Sequence, residues 1–149
     1  VSVTAEVIDS LARLLTEQYV AVYRPDGVYA AGETAITDTV MPEQPNRVVC
    51  LTVYGVEESA ALTDCAFAVQ VRTRAGPDPR EVAALDEDVF TVLHGLRHLA
   101  LPTARITLAR RVSTAPLGAD TVGRLERTSN YRLLGHRPHA RLEYEEPRP

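Results

Sequence analysis

The chain contains no lysine: all sixteen of its basic residues are arginine. Uniform replacement of this kind points to a GC-rich coding sequence rather than to a need for bidentate guanidinium contacts at every site. A basic excess is missing too. The net charge of -4 excludes a protein that coats nucleic acid by neutralising phosphates, which requires a dense basic stripe. DNA could still pass close by, since an acidic or neutral wall lets it slide where a basic wall would hold it. Long apolar runs are absent, none approaching the ~20 residues that span a bilayer. Val1 to Glu6 lacks the basic region and apolar stretch of a signal peptide. These absences imply a soluble protein made inside the cell, with no membrane partner. Cysteine is scarce as well. Cys50 and Cys65 fall in two neighbouring predicted strands, where a disulfide is geometrically possible but reduced packing residues are expected. No internal repeat or low-complexity tract occurs.

What is present is enough for one domain over residues 1–149, with 45% hydrophobic residues and no need of disulfide or metal to hold it. Val7, Leu11, Leu14, Leu15 and Tyr19 follow helical spacing after a cap at Ser2 or Thr4, predicting an opening helix of about four turns. Residues 24–45 are broken by Pro25, Gly27, Gly32, Pro42 and Pro45 and read as a long loop with short extended pieces at 28–31 and 35–40. Arg47 to Tyr54 is apolar on both faces and predicts a central strand. Residues 55–64 then form a loop returning the chain, antiparallel, to a strand in which Cys65, Phe67, Val69 and Val71 face one way and Gln70, Arg72 and Arg74 the other. Asp78 and Glu81 bracket Pro79 as a capping box, opening a helix whose stripe runs from Val82 through Leu85 and Val89 to Leu96 and Leu99. A third strand is expected at 104–112, a turn-rich loop at 113–120, a fourth strand at 121–134, a short edge strand at 139–144 and a frayed tail at 145–149. The fold class is therefore α+β: a mostly antiparallel sheet of about four strands with two helices packed on one face.

The residues offer little catalytic chemistry. His94 and His98 stand four apart, the spacing of a helical zinc pair, but Gly95 replaces the glutamate base and Arg97 would set a cation beside the metal. Asp86, Glu87 and Asp88 are adjacent on a helix, so they splay around its axis instead of converging on a cation. Ser59, Ser113 and Ser129 lack a nucleophile-elbow context, and no glycine-rich stretch matches a phosphate loop. No enzyme activity, cofactor or metal is expected.

The order of elements carries a resemblance. A strand ending in Arg-x-Arg (Ala66 to Arg74), a Pro-Asp-Pro turn into an amphipathic helix (Asp78 to Leu96), and a long last strand with Asn-Tyr-Arg-Leu (Gly123 to Leu134) follow an opening helix and a long loop. This pattern resembles the tail terminator and minor capsid proteins of long-tailed bacteriophages. The lack of lysine would suit a phage of a GC-rich actinobacterial host. The resemblance implies a ring, usually a hexamer, that sits on the last ring of the tail tube, stops polymerisation and offers a surface to the head connector or stopper, with DNA passing through its lumen. It places the protein in the virion, after assembly in the host cytoplasm. Other neck or connector rings, such as head completion or stopper proteins, share these traits, and a small non-viral dimeric binding domain is the alternative from a different class. Under the ring reading the interface candidates are Arg24, Asp26 and Tyr29 in the long loop, Glu57 and Glu58 in the 55–64 loop, and Arg72 and Arg74, poised to pair with Asp86 or Asp88 of a neighbour.

Overall fold

The computed structural model describes residues 1–143. Helix α1 spans Val3–Glu17 and is capped by Ser2, whose side chain accepts from the Ala5 amide. Helix α2 spans Pro79–Leu93, with the Asp78 side chain accepting from the Arg80 amide. The expected capping box is only half made, because the Glu81 carboxylate turns instead to Arg47, 3.2 Å away. Seven strands follow in chain order: β1 Val22–Tyr23, β2 Thr34–Asp38, β3 Arg47–Glu58, β4 Asp64–Arg74, β5 Leu99–Ala100, β6 Arg105–Ala119 and β7 Leu125–His136. They form one sheet in the order β1-β2-β3-β4-β7-β6-β5, curled into a half-barrel. β1, β2 and β3 run parallel to one another, and every other pairing is antiparallel.

This corrects the expectation of about four mostly antiparallel strands: the sheet is mixed and has seven. The additional strands come from places where sequence pattern is weakest. β1 lies just before, and β2 within, the segment read as a long loop with short extended pieces, and β1 is too short to show alternation. β6 continues through 113–119, read as a turn-rich loop, because an edge strand tolerates Pro116 and Gly118. β3 runs on to Glu58, so the connection to β4 is residues 59–63 rather than 55–64. Residues 140–143 form a short 3-10 helix where an edge strand was expected, and 145–149 lie outside the described residues.

One face of the sheet packs against both helices. Val7, Leu11 and Leu15 of α1 and Leu85, Val89 and Leu93 of α2 meet Val49, Leu51, Phe67, Val69, Val71, Ile106, Tyr131 and Leu133 in a continuous core. α2 stops at Leu93, short of the predicted Leu99, because Gly95 takes φ 85° and donates its amide to the Ala109 carbonyl of β6. His94 and His98 therefore do not share a helix. At the start of β6 the backbones approach so closely that a Cβ on Gly135 would lie 2.0 Å from the Arg105 carbonyl oxygen, which only glycine permits.

The opposite sheet face carries a second, smaller core of Ala35, Val48 and Cys50, covered by Tyr29 and Met41 from the 24–45 segment. Arg24 holds that cover in place. Its guanidinium grips both Glu33 carboxylate oxygens, one at 2.7 Å, and lies over the Tyr29 ring, whose hydroxyl donates to the Ile36 carbonyl at 2.7 Å. The Arg24 hydrogen bond, and after it the Ala30 amide, hold the Glu33 carboxyl down at about 2. Cys50 belongs to this face and Cys65 to the helix face, opposite Arg72 and Glu58 respectively on the β3–β4 ladder, so no disulfide can join them. Burial raises both thiols above their ordinary range.

Two outcomes follow from this packing. Leu85→Ala, at a side chain that is 1% exposed, should cost about 2 to 5 kcal/mol by chemical denaturation, whereas Glu87→Ala on the solvent side of the same helix should fall within about 0.5 kcal/mol of the parent. For Glu33, a folded-state value below the unfolded 4.5 means that its contribution is present above 4.5 and is lost as pH falls through about 2. The stability difference between the parent and Glu33→Gln, measured by urea unfolding across pH, should be flat above about pH 5 and shrink steadily towards pH 2.

Candidate interface surfaces

The nine residues singled out from the sequence divide between interior and surface. Arg74 and Asp86 are each 2% exposed and present nothing to a neighbour. The Arg74 guanidinium donates to the carbonyls of Asn46 at 3.0 Å and Pro45 at 2.7 Å, and Arg124 reaches the Glu43 carbonyl in the same turn at 2.7 Å. These two arginines pin the chain before β3. Asp86 projects from α2 onto β6 and β7, where it accepts from the Ser129 hydroxyl at 2.7 Å and the Thr114 hydroxyl at 3.2 Å. Arg111 and Arg127 approach it to 3.5 and 3.7 Å. A buried carboxylate held in this way satisfies its charge inside the subunit. Neither Arg72 nor Arg74 pairs with Asp86: both lie on the sheet face away from α2.

Four more of the nine are already engaged within the chain. Arg72 donates to the Glu126 carboxylate at 2.7 Å. Glu57 takes both Arg132 guanidinium nitrogens, at 3.1 and 3.3 Å, which lowers its carboxyl below the ordinary range, and Glu58 pairs with Arg137. Arg24 is held by Glu33 as described. These pairs lie on the rim and open face of the sheet, where water and salt screen them. Tyr29 is half-buried as the lid of the second core. Asp26 and Asp88 are exposed and without an ion pair among the described residues.

Three surfaces remain open. The β3–β4 tip, residues 59–63, lies beside the end of β7 at His136, whereas the β6–β7 tip, residues 120–124, lies beside the end of β4 at Arg74. The two hairpins therefore project from opposite ends of the sheet. Between them runs the outer edge of β6, exposed at every residue from Val112 to Ala119. Sequence reasoning missed that edge because 113–120 read as a loop. Among the described residues no group of three or more His, Cys, Asp or Glu could hold a metal ion, and His94 is occupied otherwise: its Nδ1 accepts the Arg111 amide at 3.0 Å, and its ring stacks on Phe90.

The fold has known counterparts. A chain from the virion of a native gene transfer agent particle superposes with a TM-score of 0.54 at 10% identity, over 68% of this chain and 78% of that one. This is a likeness of fold. No curated protein sequence matches. The family model for bacteriophage tail terminator proteins matches residues 14–136, from within α1 to the last residue of β7. The match takes in every strand of the sheet and all of α2, so the chain belongs to the bacteriophage tail terminator family and is a structural protein of the phage virion.

Proposed function

We propose that the protein forms a ring, a hexamer by the resemblance drawn above, that caps the phage tail tube, stops its polymerisation and joins it to the head connector, with DNA passing through the lumen. The observation that carries this reading is the family match along residues 14–136. The fold suits the task physically. A ring subunit needs a rigid core, two ends for two different partners and a lateral surface for its neighbours. Here the hairpin tips at 59–63 and 120–124 serve as the two ends, one for the tube protein and one for the connector, and the sheet edges serve as the sides. Such a role is fulfilled by shape and contact without catalysis, and DNA is passed along without sequence reading. Assembly takes place in the host cytoplasm before the particle is complete, and the all-arginine basic set agrees with a GC-rich host.

Replacing residues 59–63 with an Asn-Gly turn should leave a folded subunit, because loop length affects closure entropy only weakly and Asn-Gly suits a two-residue hairpin. Particles assembled with that variant should show tails that fail to join heads or tubes of uncontrolled length by electron microscopy. Normal tails in the complete absence of the protein would overturn the terminator reading, whereas normal joining by the shortened variant would remove only this hairpin from the contact.

A further inference from the structure

Charge is divided between the two edges of the sheet. Residues 1–46 carry seven acidic side chains and two arginines, whereas residues 89–119 carry four arginines and no acidic residue at all. β1 and β2 form one edge of the curled sheet and β5 and β6 the other; of the first segment's acids, Asp9, Glu17, Asp26 and Asp38 lie in or next to the elements of the first edge, while Glu6 of α1 reaches Thr103 between β5 and β6, accepting from its amide and hydroxyl at 2.9 Å. At the first edge Asp9 accepts from the Tyr23 hydroxyl, Asp38 lies close to the same ring, Glu17 lines the cleft beside it, and Asp26 is exposed three residues further along the chain. Burial and the Asp9 bond keep that phenol protonated well above its ordinary range. Arg13 also lies near the ring and offsets one of these charges. At the second edge Arg97, Arg105 and Arg110 are exposed. The ion pairs of the subunit leave both sets out: none of Asp9, Glu17, Asp26, Asp38, Arg97, Arg105 or Arg110 has one among the described residues.

The edges also expose apolar side chains. Val112 and Leu117 on β6 are 54% and 51% exposed, and Val28 and Val40 beside β2 are 88% and 69% exposed. β5 covers only the first two residues of β6, and residues 94–96 cover Ala109 and Arg111, so the backbone beyond has no outer partner strand. That stretch carries Pro116 and register shifts at 112 and 117, which prevent pairing with a foreign strand along its whole length. Recognition at this edge therefore falls to side chains.

We infer that the basic β5–β6 edge of one copy docks against the acidic β1–β2 edge of the next, with Arg97 and Arg110 meeting Asp26 and Asp38 around the exposed valines and Leu117. An isologous contact would set acid against acid or base against base, which is unfavourable; only a head-to-tail contact joins unlike edges. A head-to-tail contact that closes on itself makes a ring. This inference deepens the ring reading above and rests on it, adding which surfaces meet.

The test uses the full chain, with mass followed by sedimentation velocity and native mass spectrometry at low salt. The parent should form rings whose stability falls as salt is raised. The pair Arg97→Glu with Arg110→Glu, and separately Asp26→Arg with Asp38→Arg, should each weaken association ~10-fold or more while unfolding like the parent. Mixed in equal amounts, the two variants should associate again, because in an alternating assembly every contact joins an acidic edge to a basic one. Rings formed by either variant alone as readily as by the parent would overturn this interface and leave the ring reading standing. A parent chain that stays monomeric even at millimolar concentration would overturn the edge-to-edge docking, whereas the ring reading itself falls only if tails are normal without the protein.

Discussion

The pairing of β7 with β4, eleven residues long from Asp64 opposite His136 to Arg74 opposite Glu126, is the constraint on which the rest of the molecule depends. It inserts the last of the described strands between two earlier ones, so that β6 reaches the sheet only through β7. It also sets Tyr131 beside Val69 and Leu133 beside Phe67 under the helices. Ser129 is brought opposite Val71, where its hydroxyl meets Asp86 of α2. The polar anchor of the second helix and the apolar floor beneath both helices are thus products of one strand register. A slip of one residue in that register would turn Tyr131 and Leu133 to the open face and bury Arg132.

Much of this was legible in local pattern. The cap at Ser2, the alternation of β4, the start of α2 at Pro79 and the buried side of β7 all show in the sequence, because each depends on neighbours within a few residues. β6 was half legible, and its geometry says why. Extra residues at Thr107, Val112 and Leu117 shift the register every five positions. Ile106, Ala109, Arg111, Thr114 and Pro116 therefore turn to the helix side at alternating steps of three and two, which matches neither the period of a strand nor that of a helix. β1 was hidden, and β2 read only as a short extended piece, for another reason: their place in the sheet is set by the parallel pairing of β1 to β2 and of β2 to β3, information that two or five residues cannot carry.

The same contrast applies to function. Of the residues marked as interface candidates for being charged on a strand or a helix, Arg72, Arg74 and Asp86 turn out to have partners inside the chain, whereas Asp88 has no ion pair among the described residues. Pairing across nearly 30 residues between Arg74 and the turn before β3, or across more than 40 between Asp86 and Ser129, has no local signature. Charge segregation, by contrast, can be read from the linear order once the topology is known. Eleven of the sixteen arginines fall in residues 80–148, and four of them lie in the acid-free stretch 89–119, much of which the sheet order carries to the β5–β6 edge.

The late position of β7 also bears on how the protein is born. Until residues 125–136 leave the ribosome, β4 lacks its partner on one side and β6 has only β5 and residues 94–96 along its start, so the nascent chain holds two long strands with an open side and a half-covered apolar floor. Non-local pairing of this kind is slow and exposes sticky surface while it is incomplete. The basic edge, carried on β6, cannot take its final position before the acidic edge has already been built. On the edge-to-edge docking proposed above, a copy could join its neighbours only after β7 has been made, which would keep chains that stop short of it out of the contact.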